Sequence, residues 1–147
     1  MNKSQMLDAL ENTKQLHMNQ MEKIEHLLNG DKVSNPTPVG KVECECGVWF
    51  YKHQDFMVKV LGAQLFERLD TLHEKWHYDY VRIYEIFFKK QKTGFFSKLT
   101  GGDKIDPLEF DKAKLYFSEL NETTKSLLQV ADVAVRRVTA LNESKFE

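Results

Sequence analysis

One stretch near the C-terminus restricts the fold more than any other feature. Ala113, Phe117, Leu120, Thr124, Leu127, Ala131, Ala134, Val138 and Leu141 step alternately by four and three residues, about four heptads in all. A strand buries every second residue, so this spacing belongs to an α-helix with one buried seam. The start signals agree. Asp106 can cap, Pro107 suits the first turn, and Glu109 lies where a capping box needs it. The predicted helix covers about 107–142. Its seam can pair two subunits or form the fourth face of a monomeric bundle, since one seam serves one interface.

The same period recurs earlier. A first helix is predicted from about Ser4 to Leu28, with Leu7, Leu10, Lys14, His17, Met21, Ile24 and Leu28 on one seam. Lys14 and His17 are its polar members. Asn29-Gly30 ends it, and Asn29 to Lys41, with two prolines and two glycines, reads as a connector. From Val42 to about Lys52 the chain is short and apolar, and pattern alone does not separate helix from strand. A second helical region begins near Asp55, with Gly62 marking a break, and continues past Phe88. Its stripe is Leu65, Leu69, Leu72, Trp76, Tyr80, Ile83 and Phe87. Lys89 to Asp106 is a basic, glycine-containing loop with Phe95 and Phe96, suited either to a solvated role or to docking on an acidic partner or anionic membrane surface. These segments predict an all-α, up-and-down helical bundle of four main helices with a short Cys-bearing segment. One domain over 1–147 is expected, with no internal repeat.

Composition narrows the function. Hydrophobic residues make up 41% and charged residues 29%, an ordinary globular balance. The formal net charge of -1 argues against nucleic acid as the main partner, which calls for a basic excess. No run approaches the roughly 18 apolar residues that span a bilayer. The start, Met1 to Gln5, lacks the pattern of a secretory signal, so the cytoplasm is the expected location. The two cysteines lie one residue apart, where a Cys44–Cys46 bridge would be strained.

The chemistry-bearing residues converge on a metal. His73 and His77 differ by about 40° around a helix axis, so both imidazoles can reach one point. His17 enters from the first helix. His26 points about 180° away from it, and His53 sits in a polar stretch; neither is a candidate. A thiolate from Cys44 or Cys46 completes a tetrahedral set of one sulfur and three nitrogens, which suits zinc. The Glu-x-x-His repeats of a di-iron bundle are absent.

Those residues carry a family resemblance. Cys44-x-Cys46-Gly47-x-Trp49 resembles the Cys-x-(Leu/Phe)-Gly-x-Trp core of the chemoreceptor zinc-binding (CZB) domain. A first-helix His precedes that core and a His-x-x-x-His pair follows it, in the same order as here. The similarity covers roughly residues 10–90. It implies His17, Cys44, His73 and His77 as the Zn2+ ligands, with Cys46 a small buried hydrophobe where the family has Leu or Phe. The Gly-rich segment that follows the family core is replaced here by His53-Gln54-Asp55. The resemblance further implies a bacterial, cytoplasmic, non-enzymatic sensory module that forms a homodimer. It would respond to zinc level or to oxidation of the zinc-bound cysteine. Its output would pass through a signalling partner of the chemoreceptor or diguanylate cyclase type.

Two rival readings stand beside this one. His73-Glu74-Lys75-Trp76-His77 matches the His-Glu-x-x-His motif of zinc metallopeptidases, in which the glutamate is the general base. A structural or adaptor bundle needs no metal at all.

Overall fold

The computed structural model describes residues 1–89 and 105–147. Their helices are α1 (Lys3–Leu28), α2 (Glu45–Lys52), α3 (Gln54–Leu61), α4 (Ala63–Tyr84) and α5 (Pro107–Ala140), and no strand occurs among the described residues. A π-helical turn over Glu85–Lys89 extends α4, and a 3-10 turn, Glu143–Phe146, follows α5. The protein is an all-α bundle. Its long members are α1, α4 and α5, and the two eight-residue helices α2 and α3 run consecutively before α4. No described helix is long and apolar enough to cross a membrane. Most of the basic loop expected between α4 and α5, including Phe95 and Phe96, lies outside the described residues.

The organising element is α5, which packs along both α1 and α4. Two neighbours require a wider buried stripe than one, and Thr123 and Val130 join the predicted seam. At its start, the Asp106 side chain accepts the Leu108 N–H at 2.8 Å, while Glu109 pairs with Lys112. On α1 the buried set is Met6, Leu10, His17, Met21, Ile24 and Leu27; Leu7 and Leu28 are half-buried. The stripe is thus one residue away from the expected seam at each end. Lys14 can stay on the seam because its ammonium reaches Asp132 of α5 at 2.6 Å.

Polar links fix α4 against α5. Trp76 Nε1 donates to Thr124 Oγ1 at 2.8 Å, which satisfies the indole in the core. The buried Asp79 carboxylate accepts from Lys75 at 2.8 Å and from Thr123 at 2.6 Å. A buried charge left unpaired would be costly; this one is held on both helices.

Gly62 separates α3 from α4 with φ +85°, a left-handed conformation that glycine adopts at little cost. The break predicted at this position lets α4 set off in its own direction toward the site.

Candidate metal centre

Three elements supply the site: α1 gives His17, the start of α2 gives Cys44 and Cys46, and α4 gives His73 and His77. Cys44 is itself the N-cap of α2. Its Sγ accepts the Gly47 N–H at 3.2 Å, which ties the sulfur to the first turn. Gly47 is dictated by a close approach. A Cβ there would lie 1.6 Å from the Lys41 carbonyl oxygen. The ambiguity of residues 42–52 thus resolves as a helix opened by a cysteine.

The connector between α1 and α2 is irregular yet firmly anchored. Thr37 hydrogen-bonds Gln20 of α1. The Tyr80 hydroxyl donates to the Thr37 carbonyl at 2.9 Å, and His77 Nδ1 donates to the Val39 carbonyl at 3.0 Å. Lys41 then bridges Asp70 and Glu74 on α4 at 3.1 and 3.3 Å, and the Tyr51 hydroxyl of α2 donates to Asp70. These links lay the strap and α2 across α4.

All five candidate donors are buried: His17 and His73 are 4% exposed, His77 5%, Cys46 6% and Cys44 9%. They form two overlapping sets, Cys44/His73/His77 and His17/Cys46/His73, in each of which the ligand atoms lie within 4.8 Å of one another. The predicted ligands therefore come together, but divided over two sets that share His73. His17 falls in the set that contains Cys46. Cys46, which the resemblance implies as a small buried hydrophobe, is buried and has its sulfur within 4.8 Å of ligand atoms of His17 and His73. Its signal in the sequence was the unusual thiol at an apolar motif position. His26 is exposed and pairs with Asp31, and His53 is half-buried at the joint between α2 and α3, against the Trp49 ring.

The protonation states favour metal binding. His17 Nδ1 donates to the Thr13 carbonyl at 2.9 Å, and His77 Nδ1 is committed to Val39. In the neutral imidazole, each then presents an Nε2 lone pair. Burial pushes His17 down to about 4, which keeps it neutral. The adjoining Cys46 thiol does most to hold Cys44 below the usual thiol range; burial opposes this, and His73 and His77 add to it. Cys46 is held above that range by Cys44 and by burial.

One donor edge has the length that a tetrahedral cation requires. Cys44 Sγ and His73 Nε2 are 3.3 Å apart. With Zn–S near 2.3 Å and Zn–N near 2.0–2.1 Å, the edge between two tetrahedral ligands is about 3.5 Å. His77 Nε2 is buried without a protein partner, as is the opposite ring nitrogen of His73, Nδ1. Buried polar atoms are nearly always satisfied, so the free Nε2 of His77 beside the Cys44 sulfur is a donor available to a cation. A cleft of about 210 Å³ reaches the centre from the side of the strap, bordered by His17, Cys44, Cys46 and His77.

No family model, curated protein or solved structure matches this chain. The assignment of the site rests on its own residues. They form a buried His/Cys cluster that could hold a metal ion.

Proposed function

We propose that this chain is a zinc-binding regulatory domain, not an enzyme, which reports zinc level or the oxidation of Cys44 to a partner protein. The observation that carries this reading is the Cys44 sulfur beside His73 and His77, with His77 Nε2 left unpartnered in the interior. One thiolate with imidazoles suits zinc better than the hard, oxygen-seeking cations. The ion would cross-link α1, α2 and α4. The resemblance to CZB domains, in motif and in order along the chain, supports the sensory role and adds homodimerisation and a chemoreceptor- or cyclase-type partner.

The residues themselves suit a sensor. A thiolate reached by a cleft can be oxidised to sulfenic acid by a peroxide- or hypohalous-class oxidant. A sulfenic acid is a poorer donor, so the link between α2 and α4 would weaken. The remaining seams would keep the bundle folded.

The peptidase reading needs Glu74 facing the metal. Instead Glu74 is exposed and ion-paired with Lys41, while the His73 and His77 rings are buried. That position favours the non-catalytic reading.

The test is metal analysis of the full chain purified without a histidine tag. About one equivalent of zinc is expected, with a thermal midpoint that falls on chelation. A chain that carries no metal and ignores the chelator would end this reading.

A further inference from the structure

The donors at this centre exceed what one tetrahedral cation needs. Cys44, Cys46, His17, His73 and His77 make five, and a tetrahedron takes four. A second set, His17/Cys46/His73, also has its ligand atoms within 4.8 Å of one another. Thr13 of α1 orients one member of it: its carbonyl accepts from His17 Nδ1. Both sulfurs sit in the first turn of one short helix, so either can address His73 without moving α2.

We propose that Cys46 is a second sulfur ligand of the same centre. Resting on the metal-binding reading above, this makes the site one that offers two thiolates to a thiophilic cation and keeps a sulfur on the metal when Cys44 is lost. A soft d10 ion recruits both sulfurs, because thiolate is its preferred donor. Removal of Cys44 leaves Cys46 with His17 and His73, which is still a three-donor set. The centre is thereby tolerant of damage at its most exposed thiol. Cys44 oxidation would change the sulfur count from two to one rather than from one to none.

The experiment uses the full chain and Cd2+ alone, read by the sulfur-to-cadmium charge-transfer band in the ultraviolet. The wild type is compared with Cys46→Ser, Cys44→Ser and the double variant. The expected result is a band that falls to about half in each single variant and vanishes in the double, in proportion to thiolate count. A full-strength band in Cys46→Ser overturns the inference. So does its complete loss in a Cys44→Ser chain that retains its helical circular dichroism. Should Cys44→Ser fail to fold, the Cys46→Ser arm decides alone, since that side chain caps nothing. A wild type that takes up no Cd2+ defeats the metal-binding reading as well, whereas uptake with an unchanged band in Cys46→Ser defeats only this inference.

Discussion

His73 Nε2 lies 3.3 Å from Cys44 Sγ, across the gap between α4 and the first turn of α2. His73 is also the one residue common to both donor sets. Its removal should therefore weaken metal binding more than removal of His17, Cys44 or His77, each of which belongs to a single set. Stability should behave differently. In the metal-free chain His73 carries an unpaired buried nitrogen, a penalty of about 1–3 kcal/mol that offsets the packing its ring supplies. His73→Ala is expected to shift the metal-free chain by less than about 2 kcal/mol, yet to abolish most of the stabilisation gained on zinc loading. Thermal unfolding of both proteins, with chelator and with zinc, reads the two effects separately. Equal metal affinity in His73→Ala and His17→Ala would contradict the shared-donor geometry.

Gly47 is the second point of leverage. A methyl group here meets the Lys41 carbonyl oxygen, which is backbone and cannot rotate away. Gly47→Ala must push the strap off α2 and shift the N–H that holds Cys44. The expected cost is about 1–3 kcal/mol, as for overpacking elsewhere. Metal affinity should fall as well, because the capped sulfur moves. Gly40→Ala is the control, since the nearest atoms to its Cβ belong to the flexible Glu43 side chain. Denaturant unfolding and a competitive zinc titration on the two variants check this.

The sequence made the long helices legible because their cores repeat. The seam of α5, the His17 position on α1 and the break at Gly62 all follow from period and punctuation. His73 and His77 were legible as a pair because helical geometry alone sets their separation. Three things were not. The strap from Asn29 to Lys41 looked like a plain connector, because its order comes from side chains far away in the chain, Tyr80 and His77 among them. Residues 42–52 gave no period because α2 is only two turns long. The choice between Cys44 and Cys46 stayed open, since nothing local says which histidines would stand beside each sulfur. Within the bundle, Met6 and Leu27 outrank Leu7 and Leu28 in burial, a small rotation that a seven-residue repeat does not resolve.

The strap should tune the metal site at a distance. The Tyr80 hydroxyl is fully buried and donates to the Thr37 carbonyl, two residues from the carbonyl that orients His77. Tyr80→Phe keeps the ring in the core and deletes only this bond. A loss of about 0.5–1.5 kcal/mol is expected, rising if the Thr37 carbonyl stays dry. Since His77 then has a looser partner, zinc should leave faster. Stopped-flow release to a chromogenic chelator measures the rate; unchanged release alongside lowered stability would show that the strap does not orient His77.

Acid should expose the clamp at Asp70. Burial works against the Asp70 carboxylate, but hydrogen bonds from Tyr51 and Lys41 outweigh it and hold the group below its ordinary 3.8. The unfolded chain thus takes up this proton at a higher pH than the folded one. The stability from Asp70 is complete above about pH 4 and drains away as pH falls through the folded value. Asp70→Asn should be less stable than wild type at neutral pH, by on the order of 1 kcal/mol given the partial exposure of the pair. The two should converge in strong acid, where the wild-type carboxyl is also neutral. Both proteins are compared metal-free, so that protonation of zinc ligands does not enter, and urea midpoints are taken from pH 7 down to 2. A difference that stays constant across that range would mean that the charge of Asp70 does not hold α2 to α4.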